Sequence, residues 1–109
     1  MATQQATMDD LLERVARLGR VTTRKMFGEF CVYLDAKPVA FVCDDVLYVK
    51  PTAAGRALVP GAAEGPAYPG SKLYLMFPPE DWTDRDALCA LLLATFDDLP
   101  ALKPKKKRA

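Results

Sequence analysis

Two pairs of turn-forming residues constrain this chain more than any other feature. Asp35-Ala36 separates the apolar run 29–34 from the run 37–43, and Asp44-Asp45 separates the latter from 46–49. Two-residue connections between such runs join antiparallel strands and set which residues lie opposite each other. A regular register pairs Leu34 with Lys37, Val32 with Val39 and Phe30 with Phe41, then Cys43 with Val46 and Phe41 with Tyr48. One face of this three-stranded meander then carries Phe30, Val32, Val39, Phe41, Cys43, Val46 and Tyr48. The other carries Cys31, Tyr33, Ala40, Val42, Leu47 and Val49. Both faces are apolar, whereas an antiparallel sheet with one side in water alternates apolar with polar. Each side therefore requires cover, one from helices and the other from a further helix or a second copy of the chain. The same register sets Cys31 and Cys43 on opposite faces and argues against a disulfide between them.

Helical spacing flanks the meander on both sides. Met8, Leu11, Leu12, Val15 and Leu18 recur at helical intervals after Thr7, which with Asp10 suggests a capping box, and Gly19 suits the left-handed stop. Leu88, Leu91, Leu92, Thr95, Phe96 and Leu99 form a second stripe after Thr83, with Asp86 in the capping position and Pro100 closing the helix. Between them lie an edge strand over 21–26, a short helix after Pro51-Thr52, a proline- and glycine-rich loop over 59–71 and a strand over 72–77. The predicted fold is α+β and two-layered. An antiparallel sheet of about five strands is flanked by N- and C-terminal helices. Residues 1–7 read as a flexible N-terminus, 8–100 as one domain and 101–109 as a disordered basic tail.

The 109 residues, half of them apolar, suffice for one core without disulfide or metal staples. The net charge of +1 conceals an asymmetry. Lys103, Lys105, Lys106, Lys107 and Arg108 supply five of the fifteen basic residues, which leaves the body at about −4. Such a body is a poor electrostatic match for a phosphate backbone. The tail, lacking interleaved aromatics, is a candidate for weak, sequence-independent nucleic-acid binding or a solubilising appendage. No signal peptide or membrane-spanning run is legible, and three widely spaced cysteines suit a reducing cytoplasm.

The block Arg24-Lys25-Met26-Phe27-Gly28, with Tyr33-Leu34-Asp35, residues 38–42 and Leu47-Tyr48-Val49-Lys50, resembles the N-terminal domain of the TfoX/Sxy family. Residues 68–70 and 79–82 look like the family's stand-alone members, and the resemblance extends over about 8–99. It implies a regulatory role connected with bacterial DNA uptake. Two departures are visible. Ala36 stands where the family usually has glycine, and the second, helical domain of the larger regulators has no counterpart here.

Catalytic signals are sparse. The chain has no histidine and one serine, Ser71, which excludes a Ser-His-Asp or Cys-His relay and imidazole-bound zinc. Residues 65–72 imitate a phosphate loop, but its last two residues are reversed and a strand follows instead of a helix. Asp44-Asp45 reads as turn chemistry, Asp97-Asp98 as a solvated helix end and Glu80-Asp81 as favourable charge at a helix start. Arg24, Lys25 and Lys50 form a candidate anion or partner patch; the plainer account has them lying over apolar neighbours with their charges in water. The expectation is a cytoplasmic, non-enzymatic regulatory or protein-interaction module without cofactor or metal. It is expected to homodimerise through the second sheet face and to bind an unidentified protein. Nucleic-acid binding through the tail is the alternative reading. A ligand carrier or enzyme would instead need a closed pocket lined by Tyr33, Tyr48, Tyr74 or Arg24.

Overall fold

The computed structural model describes residues 3–26, 29–68 and 70–99, leaving Phe27, Gly28, Pro69, Pro100 and the basic tail outside the described residues. Six antiparallel strands form one open sheet in the order β1-β2-β3-β4-β6-β5. They are β1 (Val21–Met26), β2 (Glu29–Leu34), β3 (Lys37–Cys43), β4 (Val46–Val49), β5 (Ala63–Pro66) and β6 (Leu73–Phe77). The helices are α1 (Gln5–Arg14), α2 (Ala53–Leu58) and α3 (Arg85–Asp98). Met8, Leu11 and Val15 from the α1 segment and Leu88, Leu91 and Leu92 from α3 join Phe30, Val32, Leu34, Val42, Leu47, Val49 and Leu75 in the main core. The expected α+β architecture is present.

Both meander connections are two-residue turns in the left-handed region. Asp35 and Ala36 have φ of 53° and 70°, and Asp44 and Asp45 have 52° and 64°. Such turns match the twist of the flanking strands. Aspartate tolerates the conformation, but Ala36 places a Cβ where only glycine is unstrained. The substitution Ala36→Gly is therefore expected to raise stability by about 0.5–1 kcal/mol, the relief of strain exceeding the added freedom of the unfolded chain. Urea unfolding of the two proteins checks this, with an increased midpoint at unchanged slope.

The register departs from the regular one. Leu34 pairs with Lys37 and Tyr33 with Pro38, but Val32 then pairs with Ala40, Cys31 with Phe41 and Phe30 with Val42. Val39 is the extra residue of a β-bulge. Its carbonyl accepts from the Lys50 backbone N–H at 3.0 Å, and Val39 and Ala40 both join the main core. The bulge slides β3 by one residue against β2, so the faces sort differently from the regular pairing. Phe30, Val32, Ala40, Val42, Leu47 and Val49 turn toward the helices. Cys31, Phe41, Cys43, Val46 and Tyr48 share the second face. The physical preference is clear: aliphatic side chains fill the dry helix-covered side, while tyrosines go where their hydroxyls reach water or a partner.

The other departures are local. Helix α1 begins at Gln5, with no side-chain cap, rather than after Thr7. Thr7 Oγ1 instead donates to Asp45 Oδ1 at 2.8 Å, and the Gln4 N–H reaches the same oxygen at 2.9 Å. Thr3 is buried and donates from its N–H and hydroxyl to Glu29 Oε1, which also accepts from the Asp44 N–H. The start of the chain is thus tied to the β3–β4 turn. Gly19, at φ 74°, ends the short helical turn that follows α1, as expected. Asp84 rather than Thr83 caps α3, accepting from the Ala87 N–H at 3.0 Å. Glu80 and Asp81 lie in a separate 3-10 turn, Pro79–Asp81, ahead of that cap. Asp98 is not merely solvated, because its carboxylate accepts from the Ala54 N–H at the start of α2. At the other end of the sheet, Lys37 Nζ donates to the carbonyls of Phe96 and Leu99 and lies 4.2 Å from the Phe96 ring centroid.

The segment read as a loop contains β5, which pairs with β6 along the sheet edge. Its strand character is hard to see because it holds Gly65 and Pro66, residues usually depleted from strands. An edge position tolerates the proline. Gly65 has a packing reason: a Cβ there would lie 2.5 Å from Met76 Sδ.

Candidate anion and partner face

On the side away from α1 and α3, a row of side chains crosses the whole sheet. Arg24 lies opposite Cys31, Cys31 opposite Phe41, Phe41 opposite Tyr48, Tyr48 opposite Met76 and Met76 opposite Ala63. Cys43, Tyr48, Tyr74 and Ala67 form a second, smaller core, with Phe41, Val46 and Met76 partly buried against it. The Phe41 and Tyr74 rings meet edge to face, 5.6 Å between centroids. Ala67 comes from the segment after β5, held by Ser71 Oγ, which accepts from the Ala67 N–H at 2.9 Å. The chain therefore covers part of its own second face, a contribution that the sequence reading assigned to a helix or a second copy. Tyr68 remains exposed at its border, whereas Leu73, also exposed, alternates with Leu75 toward the other side of the sheet.

The candidate patch divides. Arg24 opposes Cys31 and belongs to the second face; Lys25 opposes Phe30 and points to the other side of the sheet. Lys50 follows β4 in the alternation of Val46 and Tyr48, half-buried, and burial lowers its ammonium below the ordinary lysine range. Lys72, which sequence reasoning missed, acts on Lys50 in the same direction. The alternation Lys72, Tyr74, Met76 was available in the strand read over 72–77 and was not used. Burial raises the Cys31 thiol, opposed by a hydrogen bond from Tyr33 and by the charges of Lys50 and Arg24. That bond to Cys31, then burial, raises Tyr33 in turn.

Cys31 and Cys43 share this face, contrary to the regular register, yet both are free and buried. Burial, then Glu29 and Asp44, pushes Cys43 up to about 11, far from a reactive thiolate. All four tyrosines gather here: Tyr33, Tyr48 and Tyr74 on the sheet, and Tyr68 close enough to Tyr74 to raise its hydroxyl after burial. The ion pairs among the described residues are Arg14–Asp10, Arg17–Asp86, Arg56–Glu64 and Arg85–Glu13; none involves Arg24, Lys50 or Lys72. No group of three or more Cys, Asp or Glu side chains is placed to hold a metal among the described residues, and no helix there is long and apolar enough to cross a membrane. Residues 65–72 supply a strand edge and a turn with Gly70 at φ 86° in place of a phosphate loop. The tail cations Lys103, Lys105, Lys106, Lys107 and Arg108 lie outside the described residues.

Fold and face together define a small α+β sheet domain whose unusual surface is a cationic and aromatic sheet face opposite its helices. The TfoX N-terminal domain model matches residues 13–98, most of the chain, and the protein belongs to that family. It is also 34% identical over 114 aligned positions to an uncharacterized 12.7 kDa protein encoded in the trpE 5′ region of Spirochaeta aurantia, an alignment covering 99% of this chain and 93% of that protein.

Proposed function

We propose that this chain is a non-enzymatic regulatory module that works in the cytoplasm by protein interaction, and that its first partner is a second copy of itself. One observation carries the reading: the second face presents Phe41, Val46 and Met76 only partly buried, with Tyr68 exposed beside Tyr74. A contiguous apolar surface of this kind marks an interaction site more often than an inert one. The absence of histidine from the sequence and the inert setting of the buried cysteines agree with a binding rather than a bond-making role. Sedimentation velocity over a wide concentration range tests the proposal. The expected result is a reversible dimer that Val46→Asp converts to monomer while far-UV circular dichroism stays unchanged. A wild-type protein that remains strictly monomeric at high concentration removes the self-association.

A further inference from the structure

We propose that β1 is a docking edge for an extended acidic segment of a partner protein, which joins the open sheet as a further antiparallel strand. β1 ends the sheet and pairs only with β2. One bond fixes the phase of that pairing: the Asp35 N–H donates to the Arg20 carbonyl at 2.9 Å. Arg20 and Asp35 continue the β1–β2 register, so residues 20, 22 and 24 are the hydrogen-bonded positions, with N–H and C=O groups aimed at β2. The intervening Val21, Thr23 and Lys25 turn theirs outward, and no described residue bonds to them. A row of donors and acceptors therefore lines this edge at the spacing that another strand supplies. The opposite edge differs. β5 is four residues long and contains Gly65 and Pro66, and its Glu64 is held by Arg56 at 3.2 Å. Shortness and proline blunt an edge against pairing. β1 has six residues, no proline and an unbroken register with β2.

The occupant follows from charge. Arg24 and Lys25 are exposed, stand on opposite faces of the sheet, and enter no ion pair among the described residues. β1 itself carries no carboxylate. A second copy of β1 would bring its own two cations to the seam with nothing to balance them. Adjacent carboxylates on an incoming strand also point to opposite faces, so one meets each cation. Val21, Thr22 and Thr23, toward the other end of β1, suit β-branched neighbours. Nucleic acid would supply negative charge but no alternating amide and carbonyl groups for the edge. The segment recognised is thus extended, with two adjacent acidic residues followed by β-branched ones. This partner goes beyond self-association through the second face, and the two fail separately: sedimentation reports one, amide exchange along β1 the other.

Titration of the full chain with the capped peptide Thr-Glu-Glu-Val-Thr-Val-Thr, read by amide NMR shifts and hydrogen exchange, tests the assignment. Saturable shifts are expected along β1. Exchange should slow at Val21, Thr23 and Lys25 and change little at Thr22 and Arg24, whose amides already face β2. Thr23→Pro removes an outward donor that the β2 ladder does not use, so it should fold and weaken binding about tenfold or more. Arg24→Glu combined with Lys25→Glu should lose the acidic peptide and bind its Lys-Lys counterpart instead, a reversal that decides the matter if Thr23→Pro does not fold. No saturation, undiminished binding by folded Thr23→Pro, or equal affinity of the wild type for the Lys-Lys peptide overturns the proposal. So does slowed exchange at the outward amides that grows with protein concentration alone, which gives the edge to a second copy. Shifts at Arg24 and Lys25 with single-stranded DNA but not with the peptide overturn it in favour of a phosphate backbone.

Discussion

Replacing Trp82 with alanine is expected to remove about 3–5 kcal/mol of stability, the largest loss from any single truncation in this domain. Trp82 is the chain's one tryptophan and is fully buried in the main core. It stands where the 3-10 turn Pro79–Asp81 meets the approach to α3, and three elements converge on it. Its indole Nε1–H donates to the Phe77 carbonyl at the end of β6, at 2.9 Å. Its own carbonyl accepts from Arg14 Nη1 at 2.7 Å, and the same guanidinium holds Asp10 through Nε at 3.1 Å. Truncation therefore opens a large cavity and leaves the Phe77 carbonyl without its indole donor. Domains of this size have about 5–15 kcal/mol in total, so the alanine protein should be partly unfolded at modest temperature. Trp82→Phe separates the two contributions, because it keeps most of the volume and loses only the donor. It should cost about 1–2 kcal/mol. Urea unfolding followed by far-UV circular dichroism serves for all three proteins, since the intrinsic fluorophore is itself replaced. An alanine variant within about 1 kcal/mol of wild type would show that the α1–β6–α3 junction carries little of the stability.

Most of the architecture was legible because its signals are local. The turns at Asp35-Ala36 and Asp44-Asp45, the stripe from Leu88 to Leu99 and the cap-forming Thr52, which accepts from the Gly55 N–H at 2.9 Å, are each encoded within a few residues. What escaped was set at longer range. The bulge at Val39 has one local mark, Pro38, which a central strand admits only near its start or beside a bulge, but that mark does not fix which residue is extra; the choice is set by which side chains the helices require. Strand β5 was hidden because Gly65 and Pro66 are stable there only through pairing with Tyr74 and Leu73 of a strand still to come. The candidate site suffered in proportion. Arg24 and Lys50 were identified, but their separation from Lys25 depends on strand alternation, which assigns Lys25 to the Phe30 side.

Placing a carboxylate at position 42 should unfold the protein, whereas the same substitution four residues later should not. Val42 is fully buried, opposite Phe30 and Leu47 on the helix-covered side, where Asp would have no donor and little water. An unpaired charge in such a place belongs to the class of changes that cost more than about 4–5 kcal/mol. That is enough to exhaust much of a small domain's stability. Val46 pairs with Cys43 on the second face and is only partly buried, so Val46→Asp should cost no more than about 1–2 kcal/mol. The contrast tests the sorting of faces that the bulge imposes, because both changes are Val→Asp within one hairpin. Soluble expression and the amide spectrum report the outcome: Val42→Asp collapsed or insoluble, Val46→Asp folded. A cross-strand contact from Phe30 to Val42, in place of Phe30 to Phe41, should appear in the wild-type spectrum. If Val42→Asp folds while Val46→Asp does not, the helices cover the opposite face. The side chains of Arg24 and Lys50 would then lie under them, where no second copy could reach.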